Sequence, residues 1–68
     1  MDNHVKHARM EQGLTQIQLG KQVGVTRQTI SLIEKGQYNP TLRLCLLLSY
    51  ALHTSLNDLF WIDEEDFK

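Results

Sequence analysis

Five times in this 68-residue chain a small polar residue stands just before a run of helix formers, and a glycine stop closes three of those runs. Ser, Thr and Asn side chains accept hydrogen bonds from the free N–H groups at a helix start, and glycine supplies the left-handed turn that ends one. This punctuation predicts helices over His4–Gln12 (cap Asn3, stop Gly13), Gln16–Val23 (cap Thr15, stop Gly24) and Arg27–Lys35 (cap Thr26, stop Gly36). Asn39-Pro40 forces an extended turn, because a residue before proline avoids helical angles. Thr41 then caps Leu42–Leu52, and Ser55 caps a short helix running from Leu56 to about Phe60. No useful stretch alternates as a strand would, so the fold class is all-α with five helices.

A chain this short holds one core and buries only about 60% of its unfolded surface. A single cysteine, Cys45, excludes an internal disulfide. With no leader pattern, it suits a reducing cytoplasm. Oligomerisation is the remaining source of extra stability. No apolar run approaches the ~20 residues that span a bilayer.

The net charge of −1 hides an asymmetry. Residues 1–57 set Lys6, Arg9, Lys21, Arg27, Lys35 and Arg43 against Asp2, Glu11 and Glu34, a balance of +3. Residues 58–68 set Lys68 against Asp58, Asp63, Glu64, Glu65 and Asp66, a balance of −4. A basic body with an acidic tail suits a phosphate-facing domain over residues 1–62, with 63–68 kept away from the phosphates. The acidic run is read as a solvated tail. Its alternative is a short terminal β-ribbon formed with residues 1–4.

At 100° per residue, the third helix turns Ile30 and Ile33 inward, with Glu34 at the edge of that stripe. Gln28, Ser31, Leu32 and Lys35 face outward. An amide, a hydroxyl and a cation are what reading base edges requires, and Leu32 is either plainly exposed or set against a thymine methyl. On the first helix Val5, Ala8, Arg9 and Gln12 share a stripe, so Arg9 points inward. An inward charge needs a counter-charge. Glu34 is the one acid placed on an inward edge elsewhere, so Arg9 and Glu34 are expected to pair.

Within Gln16–Ile33, Gly20 allows two helices to approach and Gly24 allows a positive φ in the turn. Leu19, Val23, Val25, Ile30 and Ile33 lock the pair together, as a helix-turn-helix requires. From Arg9 to Phe60 the text R-x-x-x-G-L-T-Q, L-G-K-Q-V-G-V-T-R-Q-T-I-S-x-I-E-K-G-x-Y-N-P-T-L and L-N-D-L-F resembles the Cro/phage-repressor (Xre-type) regulators, among their short stand-alone members. That resemblance implies a lambda-repressor-like fold with its motif over 16–35. It also implies a sequence-specific transcriptional regulator, acting as a repressor that reads an inverted-repeat operator on double-stranded DNA through the major groove. It gives Gln16 and Thr26 backbone contacts, and Arg27, Gln28 and Thr29 base edges or adjacent phosphates. Ser31 and Leu32 come next along the groove. Lys35, Gln37, Tyr38 and Asn39 grip the far backbone. The Arg9–Glu34 pair is a family feature as well. Gly20, Ile17 and Leu47 depart from the family's usual alanine, polar and charged residues.

The fourth helix carries a core stripe of Leu44, Cys45, Leu48, Ala51 and Leu52. Leu46 and Tyr50 are left outside it, with Leu42 and Leu47 at its flanks. Phe60, Trp61 and Ile62 follow as a second apolar cluster. A homodimer through Leu46, Tyr50, Leu56, Phe60, Trp61 and Ile62 is expected, and local core packing is the alternative for the last three. A different protein on the same face, in an antitoxin-like or anti-repressor role, is the second partner reading. His4 and His7 are spaced as two metal ligands could be, but without a third they are read as solvated. Neither a metal nor a cofactor is expected. With no nucleophile–base set and no phosphate loop, nor is enzymatic activity.

Overall fold

The computed structural model describes residues 2–61. Its elements run β1 (Asp2–Asn3), α1 (Val5–Glu11), α2 (Gln16–Val23), α3 (Arg27–Glu34), α4 (Leu42–Leu52), α5 (Leu56–Leu59) and β2 (Phe60–Trp61). Four helices begin where their hydroxyls dictate. Thr15, Thr26, Thr41 and Ser55 each accept from the backbone N–H three residues on, at 3.1–3.2 Å. Thr15 completes a capping box, in which the Gln18 side chain accepts from the Thr15 N–H at 2.8 Å. Asn3 also serves α1, from one residue further out than an ordinary cap: its Oδ1 accepts from Val5 N–H at 3.1 Å, while His4 holds the N-cap position.

The α1 stripe needs one correction. Val5 and Ala8 are buried and Arg9 is half-buried, but Gln12 is exposed. Helix α1 ends at Glu11, so Gln12 is its C-cap and is carried outward, with Gly13 next at φ +70°.

One core joins every helix. Val5 and Ala8 of α1 meet Leu19 and Val23 of α2, Ile30 and Ile33 of α3, and Leu44, Cys45, Leu48 and Leu52 of α4. Leu59 and Phe60 close it from below. Phe60 is only 9% exposed. It therefore belongs to the core of its own chain and is withdrawn from the expected dimer contacts, because the extended backbone after α5 turns it inward. Ala51 and Leu47 are half-buried and pack against the same core.

The terminal ribbon exists, but closer in than the acidic run. β1 and β2 pair antiparallel, Asp2 opposite Trp61 and Asn3 opposite Phe60, and His4 N–H extends the pairing to Leu59 O at 2.9 Å. Ile62 and the acidic residues 63–66 lie outside the described residues. Among the described residues no helix is long and apolar enough to cross a membrane. None of their His, Cys, Asp and Glu side chains form a group of three or more that could hold a metal ion.

Candidate nucleic-acid interface

The interface is built on a turn. Gly24, at φ +80°, ends α2 in the left-handed conformation. Val25 N–H donates to Gly20 O at 2.9 Å, and Thr26 starts α3 at once. The turn folds back so tightly that a Cβ on Gly20 would stand 2.6 Å from the Val25 carbonyl oxygen. A bare α-carbon is what lets the two helices take this spacing, so here glycine's low helix propensity has a packing reason.

Helix α3 is held from behind at its C-terminal end. Arg9 Nε donates to Glu34 Oε2 at 2.7 Å and Arg9 Nη2 to Glu34 Oε1 at 3.4 Å. Arg9 Nη1 also donates to Leu14 O at 2.8 Å. The two side chains are 12% and 5% exposed. A planar guanidinium with several donors suits such an almost fully enclosed carboxylate. A second tie was not foreseen: Asn3 Nδ2 donates to Ile33 O at 2.8 Å, a second bond to a last-turn carbonyl of α3 that also accepts from Gly36 N–H at 2.9 Å. The signal for it was thin, since Asn3 announces only a cap for α1.

With its inner side fixed, α3 presents Arg27, Gln28, Leu32 and Lys35 as exposed residues, while Thr29 and Ser31 are half-buried. Thr29 Oγ1 lies 3.0 Å from Thr26 Oγ1, so these two hydroxyls share one hydrogen bond at the helix start. Gln37, Tyr38 and Asn39 follow on an exposed loop, anchored by Gln37 N–H to Leu32 O at 2.9 Å. Gln16 is half-buried, and its amide is engaged with Glu34.

Arg43 was missed as a candidate. It joins Tyr38, Thr41 and the turn residues Val23–Val25 around a cleft of about 280 Å³. Its position in the first turn of α4, directly after the 37–39 loop, was the available signal. Lys6, Lys21, Arg27, Lys35 and Arg43 have no ion pair among the described residues, where Arg9 is the one cation of the Lys/Arg type that does. Cations free of carboxylates are what a polyanion requires.

The apolar residues expected at a subunit contact separate into two places. Leu46, Tyr50 and Leu56 line one shallow groove of about 430 Å³ between α4 and α5. Trp61 stands elsewhere, edge-on to His4 at a ring distance of 4.5 Å. It shares a cavity with Asp2, Asn3 and the Glu34–Gly36 end of α3.

Known proteins agree with this architecture. The helix-turn-helix family matches residues 5–59. YgzD of Bacillus subtilis (strain 168), named an uncharacterized HTH-type transcriptional regulator, is 47% identical over 66 residues, covering 97% of this chain and 100% of that protein. An uncharacterized HTH-type transcriptional regulator of Archaeoglobus fulgidus is 41% identical over 97% of this chain and 94% of its own length. The crystal structure of the restriction-modification controller protein C.AhdI from Aeromonas hydrophila superposes with a TM-score of 0.77 at 32% identity, over 84% of this chain and 86% of that one. With a capped helix pair around a glycine-dependent turn, and relatives matched over nearly their whole length, the chain belongs to the helix-turn-helix family and is a DNA-binding transcriptional regulator of the Cro/phage-repressor type rather than an enzyme.

Proposed function

We propose that the protein is a sequence-specific repressor that binds an inverted-repeat operator as a homodimer and occludes the promoter. The observation that carries the reading is the exposed side of α3, where Arg27, Gln28, Leu32 and Lys35 stand clear of the protein on a helix locked from behind. In this reading α3 enters the major groove. Gln28 reads a base edge, with Arg27 and Thr29 on bases or neighbouring phosphates, and Ser31 and Leu32 come next along the groove. Gln16 and Thr26 hold the near backbone. Lys35, Gln37, Tyr38, Asn39 and the added Arg43 hold the far one.

Leu42 (68% exposed), Leu46 (41%) and Tyr50 (78%) support a second copy packing on α4. Two-fold pairing is the commonest assembly of such domains and makes a palindromic operator the natural target. The two α3 helices then lie about 34 Å apart, matching half-site centres about 10 bp apart.

Selection of bound duplexes from a random pool tests the reading. An inverted repeat with that spacing is expected, and Gln28→Ala relaxes one base position in each half-site. A consensus unchanged by Gln28→Ala removes the base-reading role, and a pool that never enriches removes sequence specificity altogether. Sedimentation at micromolar concentration tests the assembly. The parent should run at twice 7.9 kDa, and Tyr50→Glu as a monomer with weaker DNA binding.

A further inference from the structure

Gln16, the first residue of α2, offers one amide carbonyl and two N–H donors. Its Nε2 donates to Glu34 Oε1 at 3.0 Å. Glu34 is 5% exposed, and both its oxygens already accept from Arg9, at 2.7 and 3.4 Å. A carboxylate accepts and never donates. The amide therefore cannot flip: its nitrogen must face Glu34. The two hydrogens on a planar amide nitrogen diverge by about 120°. With one fixed on a buried oxygen, the second is directed away from it, at the start of α2. Arg9 neutralises the carboxylate, so holding the amide there does not set an uncompensated negative charge against DNA.

We propose that Glu34 is a positioning residue for DNA binding, holding the Gln16 amide so that its second N–H is ready for a backbone phosphate. This rests on the DNA reading above and assigns Glu34 a role besides bracing α3. The same carboxylate then serves two helices, fixing where α3 sits and which way the α2 amide points. Immobilising a long polar side chain on binding otherwise lowers affinity by a factor of roughly 2–10. In Glu34→Gln the new amide turns its carbonyl to Arg9 and its NH2 toward Gln16. The Gln16 amide is then free to flip and accept that N–H with its own carbonyl, so its NH2 is no longer aimed as the carboxylate aims it.

The test is a double-mutant cycle in DNA affinity, on a mixed-sequence duplex of about 20 bp at about 50 mM salt, because phosphate contacts do not depend on sequence. Glu34→Gln should weaken binding roughly fivefold in the parent and less than twofold in a Gln16→Ala background. Equal losses in both backgrounds would mean that Glu34 acts only by bracing the fold, and would overturn the inference while leaving the DNA reading intact. A parent that does not bind the duplex overturns both. Should Glu34→Gln unfold, the side-chain amide spectrum of the free parent decides. Two well-separated Gln16 Nε2 protons are expected, one of them slow to exchange and only the other shifting when duplex is added. An averaged pair like that of a freely rotating glutamine overturns the hold.

Discussion

Replacing Arg9 and Glu34 by apolar residues, singly and together, measures how much of the fold rests on their pair. The side chains are 12% and 5% exposed and meet at 2.7 Å, so each is nearly cut off from water and depends on the other. Arg9→Met leaves the Glu34 carboxylate with one neutral donor, Gln16 at 3.0 Å. Glu34→Leu leaves Arg9 with the Leu14 carbonyl at 2.8 Å. Stranding one member of such a pair typically costs about 3–5 kcal/mol, whereas replacing both by packed apolar groups is close to neutral. A 68-residue domain has roughly 3–10 kcal/mol in all. Each single variant should therefore lie near its unfolding midpoint in plain buffer, with Arg9→Met the worse. The double variant should lose far less than the two single losses summed, which come to about 6–10 kcal/mol. Urea unfolding followed by far-ultraviolet circular dichroism reads all four proteins. Single losses that simply add in the double variant, within about 0.5 kcal/mol, would refute the mutual dependence.

Four further outcomes are expected. Gly20→Ala gains about 0.5–1 kcal/mol of helix propensity, but its Cβ meets a backbone oxygen at 2.6 Å that cannot rotate away. Overpacking of about 1–3 kcal/mol prevails, and the urea midpoint falls; a raised midpoint would show that the turn yields freely. His53 closes α4 at φ +54°, so His53→Gly should raise Tm by a few degrees, and a lowered Tm would mean the imidazole contributes more than the left-handed backbone costs. Asn3→Ala loses both the Val5 and Ile33 hydrogen bonds and should cost about 1–2 kcal/mol in thermal melts, with Asn3→Asp, which keeps only the acceptor, between it and the parent. Burial pushes the Cys45 thiol up, against a weaker opposing effect of a backbone hydrogen bond, so a thiol reagent at pH 8 should label the native protein far more slowly than the denatured one. Equal rates would place the thiol at the surface.

Four of the five helix starts were legible because each is written in one residue's hydroxyl. Thr15, Thr26, Thr41 and Ser55 set their boundaries through bonds three residues long, which need no knowledge of the rest of the molecule. The Arg9–Glu34 contact was legible for another reason: two inward charges of opposite sign leave few arrangements. What escaped depended on the third dimension. Gln12 drops off its stripe because α1 stops one residue early. Phe60 and Trp61 are neighbouring aromatics, but the extended backbone sends one into the core and the other to His4. Arg43 joins the interface only because the 37–39 loop brings Tyr38 back beside the turn. The Gln16–Glu34 bond spans two helices that no local pattern relates.

The terminal ribbon bears on the order in which the protein assembles. The helices and the α2–α3 turn are closed by contacts near in sequence, which form quickly and at little entropic cost. The ribbon joins Asp2 to Trp61 across nearly the whole described chain through two-residue strands, so loop closure makes it the last element to form and the first to open. Opening it also takes Asn3 off the Ile33 carbonyl and so removes one of the two ties on the end of α3, leaving the Arg9–Glu34 pair and the core in place. In native-state hydrogen exchange the His4 amide, bonded across to Leu59, should therefore exchange through a local opening, well ahead of the Ile30 and Ile33 amides, whose release requires the whole domain to unfold.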